Sequence, residues 1–184
     1  MSASGPAFYD DDAIFSTYMA ARQRRDSPNN TLEQPVTLEL AGDLAERRVL
    51  DLGCGDAAFG RMVLAHAGST YLGVEGSQNM AALARETLVG TSGQVQHCAI
   101  EDWEAPDAAF DLAVARLSLH YLADLAPVFA QVYQALASGY VCFQPAGLFG
   151  SRSTKCPRPG RSYRMSSSFE PCFSGAVFAP GSNE

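Results

Sequence analysis

One short stretch, residues 49–60, constrains the fold more than any other part of this sequence. It opens with apolar residues around one acid and then turns through two glycines, Gly53 and Gly55. Glycine adopts positive φ without strain and lets a ligand approach the backbone closely. The residues after the turn, 57–66, have the pattern of a helix. A buried strand, a glycine turn and a helix together predict the ligand-binding edge of a parallel α/β sheet.

The acid in this stretch, Asp51, indicates what kind of ligand the turn suits. The dinucleotide fingerprint G-x-G-x-x-G requires a third glycine where this chain has Ala58. Asp51 lies two residues before the first glycine, and a carboxylate close to the turn suits a cation better than a pyrophosphate. The strand, the acid and the turn resemble motif I of the class I methyltransferases that depend on S-adenosylmethionine (SAM), a sulfonium cation.

The resemblance implies which residues bind this cofactor. The turn, with Gly53, Cys54 and Gly55, would cradle its amino-acid portion. Glu75 ends the second predicted strand 22 residues after the first glycine, a spacing that suits an acceptor for both ribose hydroxyls. The following helix begins near Gly76, and the resemblance places its Met80 beside the adenine, which makes both residues candidates for the cofactor site.

An acidic segment follows the third predicted strand, residues 95–100. By the same resemblance, Asp102 would bind the exocyclic amine of adenine, and Glu101 belongs to the same part of the site. Ile100 and Trp103, the single tryptophan of the chain, would form apolar walls. The alternative is an acidic turn with a tryptophan at the surface.

The fourth predicted strand, residues 110–115, should lie beside the first, so that its end reaches the ligand crevice. We assign Arg116, directly after it, to the cofactor site, and the segment that follows resembles motif IV of the same family. His120 in this segment is a candidate general base for the methyl acceptor, because imidazole titrates near neutral pH. A histidine that only supports the loop is the alternative.

The start of the chain predicts a helix that covers the pocket. Residues 10–12 are acidic and suited to capping a helix that begins at Ala13. Tyr18 and Arg22 lie four residues apart, on one face of this helix. The resemblance implies a helix across the mouth of the pocket, from which both side chains reach the SAM carboxylate. A core-packing tyrosine and a solvated arginine are the alternative, and residues 1–9 are expected to be flexible.

The composition of the chain changes near its end. Residues 144–184 are rich in Pro, Gly, Ser and Arg and show no sustained periodicity, which predicts a poorly ordered tail. Residues 1–143 would form the methyltransferase domain, with lid helices in 1–42 and the core in 43–143. Two origins of the tail stay open: a shifted reading frame, or a basic segment that docks a partner.

Bulk properties disfavour several other classes of protein. A net charge of −7 argues against binding to nucleic acid. The five cysteines form no C-x-x-C pair and have no histidine at ligand spacing, so we expect no metal site. No apolar run is long enough to cross a membrane, and the acidic start is unlike a signal peptide. We therefore expect a cytoplasmic monomer or homodimer without a membrane partner.

The sequence as a whole predicts an α/β fold, a Rossmann-like doubly wound and mostly parallel sheet with helices on both faces and its C-terminal strands missing or altered. The resemblance implies methyl transfer from SAM to an N, O or C nucleophile of a small molecule, with S-adenosyl-L-homocysteine (SAH) as the product. Three alternatives stay open: a catalytically silent SAM-binding protein, an NAD- or nucleotide-binding Rossmann protein, and a non-enzymatic interaction protein that uses the tail.

Overall fold

A computed structural model of the chain describes residues 5–144 and 152–155, with side-chain surroundings for residues 5–137. Its helices are α1 (Asp12–Arg22), α2 (Gln34–Ala41), α3 (Ala58–Val63), α4 (Gln78–Thr87) and α5 (Ala126–Ala135). Its strands are β1 (Arg48–Leu52), β2 (Thr70–Glu75), β3 (Gln94–His97), β4 (Phe110–Arg116), β5 (Leu136–Gln144) and β6 (Arg152–Lys155). Short 3₁₀ turns form at Gly5–Asp10, Ile100–Asp102 and Leu119–Tyr121, and a π-helical turn, Asn29–Glu33, precedes α2.

The strands of the described ranges form one six-stranded sheet in the order β3-β2-β1-β4-β5-β6. β1 to β5 run parallel, and β6 is antiparallel to β5. From β1 the chain builds outward to β3 and then returns to place β4 on the other side of β1. Ligands of open α/β sheets bind at the carboxyl ends of the strands where the order reverses in this way. The predicted Rossmann-like fold is confirmed.

Alternate residues of β1 and β4 face opposite sides of the sheet, and helices cover both sides. Val49 and Val114 pack on the side of α2, α3 and α4, whereas Leu50 and Ala113 pack on the side of α5. Burial on both faces explains why these strands are almost continuously apolar, as parallel strands usually are. No helix among the described residues is long and apolar enough to cross a membrane.

Residues 5–9 belong to the Gly5–Asp10 turn, where the sequence predicted a flexible segment. In the Gly5–Asp10 turn, Asp10 Oδ1 accepts hydrogen bonds from Ser77 Oγ at 2.7 Å and from Asn79 N at 3.2 Å. The predicted cap of α1 is confirmed, since Asp11 Oδ1 accepts from two backbone amides at the start of the helix. The partners of Asp10 are some 67 residues away in the sequence, so no local pattern could reveal them.

One strand of the C-terminal part was not expected, because the sequence predicted an irregular tail there. The segment Arg152–Lys155 pairs with β5, although it lies in the region 144–184 that was predicted to be poorly ordered. Residues 145–151 and 156–184 lie outside the described residues. The interpretations of the tail as frame-shifted or partner-docking concern largely those residues.

Candidate cofactor site

The carboxyl ends of β1, β2 and β4 open into a cavity of about 480 Å³. This volume is within the range of small-molecule sites, about 300–1,000 Å³. The cavity brings together most of the predicted site residues, namely Tyr18, Arg22, Gly53, Cys54, Gly55, Glu75, Gly76, Met80, Glu101, Arg116 and His120. Three others do not line it: Asp51, Asp102 and Trp103. No cluster of three or more side chains suited to a metal ion occurs within residues 5–137.

The two glycines of the turn are required for different reasons. A Cβ on Gly53 would lie 2.3 Å from Ser118 Cβ, and the φ of Gly53 is +73°. Gly55 also has positive φ, +58°, but a Cβ there would meet no atom within 4 Å. Ser118 Oγ donates to Leu52 O at 2.6 Å, which fixes the end of β4 against the end of β1. Gly53 is therefore required because Ser118 leaves no room for a side chain, whereas Gly55 is favoured only by its positive φ.

Cys54 lies between these glycines, with 1% of its surface exposed. Its sulfur packs against Gly73 of β2. A Cβ on Gly73 would lie 2.6 Å from Cys54 Sγ, so the sulfur fills the space that a side chain would need. Burial raises the pKa of the thiol well above its ordinary value. The side chain is thus a neutral packing group, and the part of Cys54 suited to a ligand is its backbone.

Glu75 joins the second strand to the glycine turn. Its Oε2 accepts a hydrogen bond from Gly55 N at 2.8 Å, and its Oε1 accepts one from Ser77 N at 2.8 Å. Burial raises the pKa of this carboxyl, against the effect of these amides, which lower it. Each carboxylate oxygen has more than one acceptor site, so the same side chain can hold the turn and still accept hydroxyl groups of a ligand.

Arg22 of α1 reaches the cavity, where Asp56 holds it. Its Nε donates to Asp56 Oδ2 at 3.1 Å and its Nη2 to Asp56 Oδ1 at 2.9 Å, with both side chains 13% exposed. Burial opposes charge on both groups, but the pair raises the pKa of Arg22 and lowers that of Asp56. Sequence analysis missed Asp56, although it directly follows Gly55 of the turn.

Asp51 lies beneath the turn and does not face the cavity, which corrects its assignment as a direct cofactor ligand. It is fully buried, and its Oδ2 accepts from Tyr71 Oη at 2.9 Å. Arg116 Nη2 lies 3.7 Å from the same oxygen. Burial raises the pKa of Asp51, while Arg116 and Tyr71 lower it. Asp51 therefore acts on the site through Arg116, which does line the cavity.

The structure also corrects the assignment of Trp103 as a cofactor wall. Trp103 is 1% exposed and packs against Phe110, with the ring centroids 6.2 Å apart, so the surface alternative is wrong as well. Three residues complete each turn of a 3₁₀ helix, so Ile100, Glu101 and Asp102 point in three directions. Ile100 and Glu101 line the cavity, and Asp102 does not.

Two further predicted residues that line the cavity, His120 and Tyr18, contact other aromatic rings. His120 is exposed in the Leu119–Tyr121 turn, and its ring contacts that of Tyr121 at 3.9 Å between centroids. Partial burial lowers the pKa of His120 below 6.5. Tyr18 contacts the ring of Tyr9, with 4.9 Å between the ring centroids, and Tyr9 Oη lies 3.1 Å from Tyr121 Oη.

Sequence analysis missed several lining residues: Pro6, Tyr9, Asn29, Glu33, Ser118 and Tyr121.

Known proteins share this architecture. A family model described as a methyltransferase domain matches residues 50–141, half of the chain. A trans-aconitate 2-methyltransferase of Acidovorax sp. (strain JS42) is 37% identical over 98 residues, 53% of this chain and 37% of its own length. An uncharacterized protein of Haemophilus influenzae is 28% identical over 136 residues, 71% of this chain and 54% of its own length.

A solved structure agrees with these sequence matches. The S-adenosylmethionine-dependent methyltransferase from Mesorhizobium loti superposes with a TM-score of 0.57 at 34% identity, over 60% of this chain and 52% of its own. The chain thus spans about half the length, or less, of these three relatives. With the sheet order, the glycine turn and the family match in agreement, the chain belongs to the methyltransferase-domain family of the class I, SAM-dependent type.

Proposed function

We propose that the chain binds SAM in this cavity and promotes methyl transfer to a nitrogen, oxygen or carbon nucleophile of a small molecule. One observation carries the proposal: Glu75 at the end of β2 is hydrogen-bonded to Gly55 in the turn after β1, inside the cavity. This places a carboxylate acceptor and an open backbone turn at the switch point of the sheet, where nucleoside ligands bind.

The other lining groups fit a cationic nucleoside. Apolar groups for an adenine ring come from Met80, Ala99 and Ile100. Glu33 and Glu101 add carboxylates to that of Glu75, while the charges of the two lining arginines are balanced by Asp56 and Asp51. An excess of acidic groups favours a ligand with net positive charge.

When bound, SAM supplies an electrophilic methyl group, so the chemistry itself belongs to the cofactor. The chain contributes orientation and exclusion of water, which account for a large share of many enzymatic accelerations. Residues 5–22 form a cover over the cavity, in which Tyr9 contacts the ring of Tyr18 and pairs its hydroxyl with that of Tyr121. We assign to this cover the exclusion of water from the reacting atoms.

His120 is the proposed general base. His120 lines the cavity, and partial burial lowers its pKa, which favours the neutral imidazole at neutral pH. A neutral imidazole has one nitrogen that accepts a proton. In this role His120 takes a proton from the acceptor nucleophile, and it is not required for cofactor binding.

The proposed acceptor is a small molecule and not a nucleic acid. A net charge of −7 opposes binding to a phosphate backbone, and the cavity of about 480 Å³ is of small-molecule size. The relative named as a trans-aconitate 2-methyltransferase supports a small acceptor, although the matched region covers 37% of that protein.

Calorimetry on the full chain tests the proposal. We expect heat on titration with SAM and SAH and none with NAD, and a Glu75→Gln variant should bind SAH at least about tenfold more weakly, as the loss of a charge-assisted hydrogen bond implies. Glu86→Gln, on the exposed part of α4, is the matched control and should bind like the parent.

Release of SAH in the presence of a panel of small amines, carboxylates and phenols then separates an enzyme from a silent binding protein. Turnover with one panel member supports the full proposal. Binding without turnover across the panel would support the silent alternative, and NAD binding without SAH binding would overturn the assignment of the cofactor.

A further inference from the structure

The two arginines that line the cavity differ in how their donors are used. In Arg22, the Nε and Nη2 groups, which form one edge of the guanidinium, both donate to Asp56. An arginine binds a carboxylate best through two parallel N–H donors on one edge. Asp56 already occupies that edge of Arg22.

Arg116 has no comparable partner within the described part of the chain. Its closest acidic contact joins Nη2 to Asp51 Oδ2 at 3.7 Å, beyond hydrogen-bond distance, and its Nε is buried without a hydrogen bond. The acceptor in question, Asp51 Oδ2, is already bonded to Tyr71 Oη at 2.9 Å. A guanidinium that lines the cavity and has no carboxylate held by two parallel hydrogen bonds is suited to an acceptor brought by a ligand.

Packing fixes the position of this guanidinium. The side chain of Arg116 is 11% exposed, and its Cζ lies 4.8 Å from the centroid of the Phe59 ring. The contact with Phe59 restrains the guanidinium plane. A restrained guanidinium loses little freedom when it binds a planar carboxylate.

The sheet register places Arg116 beside the glycine turn. Asp51 pairs with Val114 across β1 and β4, so two residues further along both strands Arg116 comes level with Gly53. The close approach of Ser118 to Gly53 confirms that these two strand ends meet. This is the part of the cavity that would hold the amino-acid portion of SAM.

We infer that Arg116, and not Arg22, binds the carboxylate of the cofactor's amino-acid portion. The inference rests on the proposed function and assigns a residue to that ligand group. Arg22 has a positioning role, because its pair with Asp56 fastens α1 to the turn. The assignment differs from the expectation that Arg22 of the lid helix reaches the carboxylate.

The test compares two ligands that differ at the amino-acid portion. SAH carries the carboxylate, and 5′-methylthioadenosine lacks it. By calorimetry on the full chain, Arg116→Gln should bind SAH about ten- to a hundredfold more weakly than the parent, with 5′-methylthioadenosine unchanged within about twofold. Arg116→Lys, which keeps the charge without the planar edge, should lie between the parent and Arg116→Gln.

Arg22→Gln is the matched control, and it should weaken both ligands by the same factor. Because Arg116→Gln leaves the buried Asp51 without its cationic neighbour, the double variant Arg116→Gln/Asp51→Asn is measured beside it, with thermal melting to confirm folding. Equal losses for both ligands in the Arg116 variants, or a loss confined to SAH in Arg22→Gln, would overturn the inference. If the parent binds 5′-methylthioadenosine and SAH with equal affinity, the inference also fails, whereas a parent that binds neither ligand refutes the proposed function itself.

Discussion

Two parts of the site are built in contrasting ways. The cradle, residues 53–57 with Glu75, is held through its backbone amides. Gly53 N and Cys54 N both donate to Val74 O, and Gly55 N donates to the carboxylate of Glu75. The cover, residues 5–22, is held by side chains that reach across the cavity, including the pair of Arg22 with Asp56 and the hydroxyls of Tyr9 and Tyr121.

This difference predicts that the cradle contributes mainly to the stability of the fold, whereas the cover controls access of ligands to the cavity. The cradle shares its residues with the central sheet, so a change there disturbs the core together with the site. The cover is mostly outside the core, and Met19 is its one buried residue. Elements with few buried contacts open at lower free energy than core strands. We therefore expect the cradle to be rigid, and the cover to open for exchange of ligands.

The largest expected effect is that of Gly53→Ala in the cradle. The new Cβ would lie 2.3 Å from Ser118 Cβ at a φ of +73°, and overpacking with left-handed backbone strain predicts a loss of about 2–5 kcal/mol in the free energy of unfolding. Denaturant unfolding measures this loss, and SAH binding should disappear with it.

Gly55→Ala is the matched control for this substitution. It also has positive φ, but its Cβ would meet open space, so only backbone strain of about 1–2 kcal/mol is expected. If the two variants unfold at the same denaturant concentration, the close approach of Ser118 does not distinguish the two glycines.

An intermediate effect is expected where the cover meets the cradle. Asp56→Asn leaves Arg22 partly buried without its charged partner, which should destabilise the chain by about 1–3 kcal/mol, less than for a fully buried pair. The double variant Arg22→Gln/Asp56→Asn should recover part of this loss. Denaturant unfolding of both variants provides the measurement, and equal losses in the two would contradict the pairing.

The same pair predicts a dependence on pH. Since the folded state lowers the pKa of Asp56 below 3.8, its contribution is present above pH 3.8 and is lost as the pH falls through the lowered value. The stability difference between the parent and the double variant should therefore shrink in acid. A difference that stays constant from pH 6 to pH 2 would show that the pair does not couple to protonation.

The smallest effect on stability and binding is expected for His120→Asn, in the exposed Leu119–Tyr121 turn. Melting temperature and SAH affinity should match the parent, whereas turnover should fall by about a hundredfold or more if the imidazole acts as a base. Partial burial lowers the pKa of His120 from its ordinary value, so the rate of the parent should decline only as the pH falls through this lowered pKa. An identical pH profile in the variant would indicate that His120 only supports the loop.

Local sequence patterns predicted the parts of the site that lie on one continuous segment. The apolar strand before Gly53 and the helix after it were recognisable, since both follow from the periodicity of nearby residues. Glu75 was placed in the cavity by its spacing from the turn, which one βαβ unit determines. Trp103 was misplaced because a 3₁₀ turn and the packing of Phe110 decide its direction.

Residues that depend on distant partners were missed or misassigned. Asp56 carries no local signal of its pair with Arg22, 34 residues earlier. Tyr9 was assigned to a flexible start, because its partner Tyr121 lies 112 residues away. Asp51 was assigned to the cofactor, yet its side chain points to Tyr71 under the turn.

The sequence alone determined the order of strands and helices, the glycine turn and the family, because these depend on short-range periodicity and on backbone conformations that few residues adopt. The tertiary structure decided how the charges are paired: Asp56 holds Arg22, whereas Arg116 Nε has no hydrogen-bond partner among the described residues. Which carboxylate reaches which guanidinium depends on the register of β1 against β4 and on the docking of α1. Both are set by the packing of the whole sheet, which no single segment encodes.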